Sequence, residues 1–213
     1  MAIEVKGLTK TYGRCNVLTD VTMTATNGSV TGLCGVNGSG KTMLLRAIAG
    51  LIRPTSGTIE INGKKLWGDI DFPESIGILI EQPAFLSRYS GFRNLELLAA
   101  VKKIIKKEHI HEAMQTVGLD PEEKKKYKKY SLGMKQRLGI AAAIMEQPEI
   151  LLFDEPTNAL DADGIGVFKQ IAFEEKKRGA IVVMSCHDKQ ILRELSDEIY
   201  YIESGRVVEH EIC

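Results

Sequence analysis

The chain has 213 residues, with Lys+Arg 28 against Asp+Glu 28 and a net charge of zero. That length suits one domain, or one domain with an inserted lobe, and buries about 70% of the unfolded surface, so neither disulfides nor a structural metal are needed. The neutral balance gives no footing for nucleic acid, and Cys15, Cys34, Cys186 and Cys213 are too scattered for a zinc site or a disulfide framework.

The first third reads as β-rich and punctuated by glycine. Strands are expected at Ile3–Val5, Val17–Thr26, Val30–Cys34, Gly57–Ile61 and Ser75–Ile80. One helix, Lys41–Gly50, has Leu44, Leu45 and Ile48 at helical spacing. From Gly91 to Gly118 the period is helical. Leu97, Leu98, Val101, Ile104 and Ile105 form one face, with Lys102, Lys103, Lys106 and Lys107 off it. Ile110, Ala113, Met114 and Val117 mark a second helix, with Gly118 as its cap. Leu138, Ala141, Ala142 and Met145 mark a third, over Leu132–Met145. The lysine-rich run Glu122–Lys129 reads as a solvated loop, because Glu122 and Glu123 interrupt it. These helices form an insert of about 83–147 between core segments 1–82 and 148–213 of a single domain, 1–213.

The αβ rhythm then resumes. Ile150–Phe153 is an apolar strand of the kind buried on both faces of a parallel sheet. Ile165, Phe168, Ile171 and Ala172 mark a helix that stops at Lys176–Gly179. A strand at Ala180–Ser185, a helix at Asp188–Leu195 and a hairpin of Glu198–Glu203 with Arg206–His210 complete the chain. Strands alternating with helices make the fold α/β with a mainly parallel sheet. No apolar run reaches the ~20 residues of a membrane-spanning helix, and the N-terminus lacks the apolar stretch of a signal peptide. A cytoplasmic protein is expected, held at any membrane by another polypeptide.

Gly35-Val36-Asn37-Gly38-Ser39-Gly40-Lys41-Thr42 matches the GxxxxGK[ST] loop and lies between a strand and a helix, as that motif requires. Its glycines let successive backbone N–H groups point inward as a nest for anionic oxygens, and the helix adds its positive end. Lys41 supplies charge for the β- and γ-phosphates, and Thr42 a hydroxyl for Mg²⁺. The loop implies a nucleoside triphosphate. Asp154 and Glu155 end the apolar strand, where α/β sheets bind ligands. Two solvated turn acids before a proline are common, but beside a phosphate loop Asp154 reads as the Mg²⁺ ligand and Glu155 as the group facing the attacking water.

In family order, these motifs resemble the nucleotide-binding subunit of ABC transporters across essentially the whole chain. The resemblance implies a P-loop NTPase core with an N-terminal antiparallel β subdomain and an inserted helical subdomain. It implies that Tyr12 stacks on adenine, and that Gln82 joins core to lobe and reaches Mg²⁺ and the water. Tyr130-Ser131-Leu132-Gly133-Met134 is similar to the signature LSGGQ, with Leu132 for its first glycine and Met134 for its glutamine. Ser131 and Gly133 would meet the γ-phosphate of ATP bound to a second subunit. Asn158–Asp161 looks like the loop that crosses the dimer interface, placing Asp161 beside nucleotide, and His187 like the switch histidine at the γ-phosphate.

The expected activity is therefore ATP hydrolysis with Mg²⁺ by a head-to-tail homodimer, or by a pair with a paralogous ATPase subunit. It would power an integral-membrane permease from the inner face of the cell membrane. The run around Ser131 resembles the multidrug, bacitracin and lantibiotic export branch. The alternative is a soluble ABC ATPase of an assembly process such as iron–sulfur cluster biogenesis, with no permease.

Overall fold

The computed structural model describes residues 1–213. Its first half runs β1 (Ala2–Tyr12), β2 (Cys15–Thr26), β3 (Ser29–Cys34), α1 (Lys41–Ile48), β4 (Ser56–Ile61), β5 (Lys64–Lys65) and β6 (Ile76–Leu79). Three helices follow, α2 (Gly91–Lys102), α3 (Lys107–Thr116) and α4 (Leu132–Ile144). The remainder is β7 (Ile150–Asp154), α5 (Ala162–Lys177), β8 (Ile181–Cys186), α6 (Lys189–Leu195), β9 (Glu198–Glu203) and β10 (Arg206–Ile212).

Two sheets result. The antiparallel one has order β2-β1-β4-β5; the other has order β10-β9-β3-β8-β7-β6, parallel except at its β9–β10 edge. The α/β expectation with a mainly parallel sheet is borne out. β7 shows why the parallel sheet is central: all five residues are buried. Successive side chains alternate sides, so Ile150 and Leu152 join a core with α1 and β1, while Leu151 and Phe153 join one with α4 and α5. Phe153 meets Phe168 edge-on at 5.2 Å.

Some elements depart from expectation. β1 extends well beyond Val5, because Gly7, at φ 57, lets a bulge absorb the polar stretch Lys6–Lys10 without ending the strand. The face expected for α2 is also corrected. Leu98, Val101 and Ile104 are exposed, at 43%, 80% and 64%. The helix ends at Lys102, with Lys103 left-handed at φ 58, and buries Gly91, Asn94, Leu95 and Ala99 instead. Asn94 goes inside because its amide is satisfied, accepting from Leu86 N and donating to Leu86 O and Ser90 O. In the loop 122–129 only Tyr127 is buried, donating its hydroxyl to Pro83 O. No helix is long and apolar enough to cross a membrane.

α4 lies directly on β6 at Gly77, where a Cβ would sit 1.9 Å from Ala143 O. Gly77→Ala is expected to cost about 1–3 kcal/mol in urea unfolding, the usual weight of overpacking. Gly166→Ala, exposed in α5 with nothing within 4 Å of the new methyl, should gain about 0.5–1 kcal/mol in the same assay.

Candidate active site

Parallel pairing aligns three strand ends. Cys34 of β3 lies opposite Cys186 of β8, and Asp154 of β7 opposite Ser185. The loop Gly35–Gly40, the pair Asp154–Glu155 and His187 therefore leave the sheet at one edge.

Gly35 is required by close approach: a Cβ there would lie 2.3 Å from Ile202 O. Gly40 opens α1 at φ 114. No side chain caps α1 and no acid stands in its first turn, so its N-terminal N–H groups are available to an anion. Lys41 folds back over the loop, its side chain 5% exposed. Nζ donates to Gly35 O at 2.6 Å and Val36 O at 3.2 Å, and lies 3.6 Å from Glu155 Oε1.

The two acids behave differently. Asp154 remains on the strand, accepting from Thr42 Oγ1 at 2.7 Å and Ser185 Oγ at 2.6 Å. Glu155 is left-handed at φ 48, a conformation that costs a non-glycine residue about 1–3 kcal/mol. Its N–H donates to Ser185 Oγ at 2.9 Å and Ser185 O at 3.2 Å. The turn brings its carboxylate to His187, with Nδ1 2.8 Å from Oε2. Buried Ser185 thus positions both acids, yet it had no sequence signal beyond closing an apolar run. Gln136 of α4 also reaches this turn, donating to Pro156 O at 3.0 Å; it lies in the run after Ser131 that carries the family resemblance, but nothing local gives it a role.

The hydroxyl of Thr42 and carboxylate of Asp154 are hard oxygen donors of the kind Mg²⁺ takes, adjacent and next to the loop. Gln82, with an exposed side chain, lines a neighbouring cavity of about 530 Å³ together with Asp154 and Glu155. Glu155, Cys186 and His187 also converge, and burial raises the Cys186 thiol.

Other expected site residues lie further out. The cleft over the loop, about 320 Å³, is walled by Cys15, Asn16, Val17, Ser204 and Gly205 as well as Asn37, Gly38 and Gly40 to Met43. Tyr12 is not among its lining residues; it is half exposed, with Lys10 Nζ 4.7 Å above its ring. Ser131 and Gly133 do not line it either. Ser131 caps α4, accepting from Met134 N at 3.2 Å. Gly133 is where α4 passes Ala159, whose carbonyl oxygen would be 3.0 Å from a Cβ. Asp161 caps α5, accepting from Gly164 N at 2.9 Å and Arg137 Nη2 at 3.1 Å. Those bonds hold its carboxyl below the usual range.

The sequence model of the ABC transporter family matches residues 18–158, more than half of the chain. The chain belongs to the ABC transporter family. It is an ABC-type ATPase. This ABC subunit is 46% identical to the uncharacterized ABC transporter ATP-binding protein YybJ of Bacillus subtilis, over 96% of this chain and 94% of that one. It is 37% identical to the bacitracin transport ATP-binding protein BcrA of Enterococcus faecalis, over 97% of this chain and 68% of that one. Among solved structures it resembles the dimeric bacterial ABC transporter cassette MJ0796, with a TM-score of 0.89 at 26% identity over 99% of this chain and 98% of that one.

The exposed thiol of Cys15 tests where nucleotide enters the ABC subunit. Mg-ATP is expected to slow alkylation of Cys15, which lines the cleft, while leaving exposed Cys213 unprotected. Peptide mapping after timed iodoacetamide labelling reads both rates; equal rates at Cys15 with and without Mg-ATP would contradict this placement.

Proposed function

We propose that this ABC subunit hydrolyses ATP as one of two subunits clasped head to tail around nucleotide, and so drives export by a separate integral-membrane permease. One observation carries the reading. Ser131 and Gly133 stand outside the cleft of their own chain, while that cleft has a cradle, a hydroxyl–carboxylate pair and a glutamate–histidine pair at one sheet edge. A partner's α4 tip would supply what one chain lacks. The dimeric cassette with a similar fold supports this arrangement. The bacitracin transport relative supports transport over a soluble assembly role, and supports export.

In this reading the triphosphate lies on Gly35–Thr42, and Lys41 exchanges its carbonyl partners for phosphate oxygens. Thr42, Asp154 and Gln82 would hold Mg²⁺, which neutralises charge on the β- and γ-phosphates when bound. Glu155 orients the attacking water and takes up its proton, and His187, beside that carboxylate, faces the γ-phosphate. Tyr12 stacks on adenine after its ring exchanges the Lys10 ammonium for the base. Asp161 lies at the subunit boundary. Two copies of this chain, or this chain and a paralogous ATPase subunit, form the pair.

Residues 83–147 act as a separate lobe that swings about Gln82 as nucleotide is bound and spent. The exposed Leu98 and Val101 of α2 and Ile104 just beyond it support docking of the permease on this lobe, since exposed apolar clusters mark interaction sites. The subunit would then be peripheral on the inner face of the cell membrane.

Glu155→Gln is expected to lower turnover by about 10²–10⁴-fold, the usual weight of a general base, with Mg-ATP affinity preserved. In that variant excess Mg-ATP should drive the chain into a dimer, detected by sedimentation, and Ser131→Ala added to it should weaken pairing. Wild-type turnover in Glu155→Gln would exclude Glu155 as base. A strictly monomeric Glu155→Gln protein, with its permease present, would exclude the clasp.

A further inference from the structure

The helix that presents Ser131 is bonded to the turn that carries Glu155. Gln136, in the second turn of α4, is 8% exposed. Its Nε2 donates to Pro156 O at 3.0 Å and lies 3.3 Å from Glu155 O, also as a donor. A primary amide has two N–H groups, enough to serve both carbonyls of this turn. The adjacent Arg137 ties α4 to two other segments, donating to Val117 O at 2.7 Å and Asp161 Oδ1 at 3.1 Å.

Glu155 needs such restraint, because its backbone occupies a conformation that a non-glycine residue leaves unless it is held. Ser185 grips its N–H from the sheet, and Gln136 grips its carbonyl from the helical insert. The first grip is part of the parallel core. The second depends on where α4 sits.

We infer that Gln136 is a positioning residue for hydrolysis: it sets the Glu155 carboxylate and makes that setting depend on the position of α4. This rests on the reading of Glu155 as the base. A displacement of α4 by about 1 Å would stretch both amide bonds out of hydrogen-bonding range. Glu155 would then relax and its carboxylate would leave the line to the water. Misplacement of that size costs about 10²-fold in rate. The same helix begins at Ser131, so pressure from a partner's nucleotide on the α4 tip and alignment of the base in the same chain become one event. Nucleotide at one site would thereby ready the glutamate of the other.

Gln136→Met tests this in the full chain, since methionine keeps the length of the side chain and removes both donors. The maximal rate of Mg-ATP hydrolysis should fall about 10–100-fold, with KM and equilibrium Mg-ATP binding changed less than about 2-fold, because no nucleotide contact is lost. Added to Glu155→Gln, Gln136→Met should lower the residual rate no further, since it acts through that carboxylate. Wild-type turnover in Gln136→Met, or an undiminished further loss in the double variant, would overturn the inference while leaving Glu155 as base. Wild-type turnover in Glu155→Gln would instead remove the reading beneath it. Should Gln136→Met not fold, Gln136→Asn keeps an amide one methylene too short to span both carbonyls, and the same selective fall in rate is expected. Loss of nucleotide binding in parallel with rate in the folded variant would overturn the role as well.

Discussion

The site depends on the parallel registration of β3, β7 and β8. Because Cys34 faces Cys186 and Asp154 faces Ser185, the three strand ends leave the sheet within a side chain's reach of one another. Ladder hydrogen bonds and burial on both faces hold this register: sliding one strand by a residue would turn its apolar set to the wrong core. A phosphate-sized nest, a hard-oxygen pair and a carboxylate–imidazole pair are then brought to one edge by packing far from the chemistry.

At that edge polar groups are buried, and each needs a partner. Asp154 is shared between Thr42 and Ser185, and Lys41 between two loop carbonyls and Glu155. Ser185 does double duty, donating to Asp154 and accepting from Glu155 N–H. The network explains how a left-handed Glu155 persists. Its strain is spread over restraints from the sheet on one side and from α4 on the other, and the free energy to maintain it comes from the apolar cores flanking β7.

The helical insert packs on the sheet through α4, whose Leu138 and Ile140 share a core with Leu151 and Phe153, and Gln136 links it to the turn after Asp154. Within the insert, Tyr127 reaches Pro83 and Tyr130 accepts from Gly91 N. Its packing against β6 at Gly77 is close, whereas α2 leaves an apolar face open. Such a lobe is fixed to the sheet through α4 while presenting surface elsewhere.

Much of this was legible from residue order. Gly35–Thr42 and Ile150–Glu155 are contiguous strings in which each position has its own physical requirement, so strand, turn and helix can be read without a partner in space. The parallel α/β class follows from apolar runs alternating with helical periods. The roles of Ser185 and Gln136 were not legible, since each is a common polar residue made significant by a neighbour roughly thirty or twenty positions away. The face of α2 was misread because periodicity counts apolar side chains, and a buried Asn94 with a satisfied amide is invisible to that count. Residue order by itself determined the local conformations and the chemical groups carried at strand ends. Only the tertiary structure decided which groups meet, because hydrogen bonds between distant segments depend on packing geometry that no local pattern encodes.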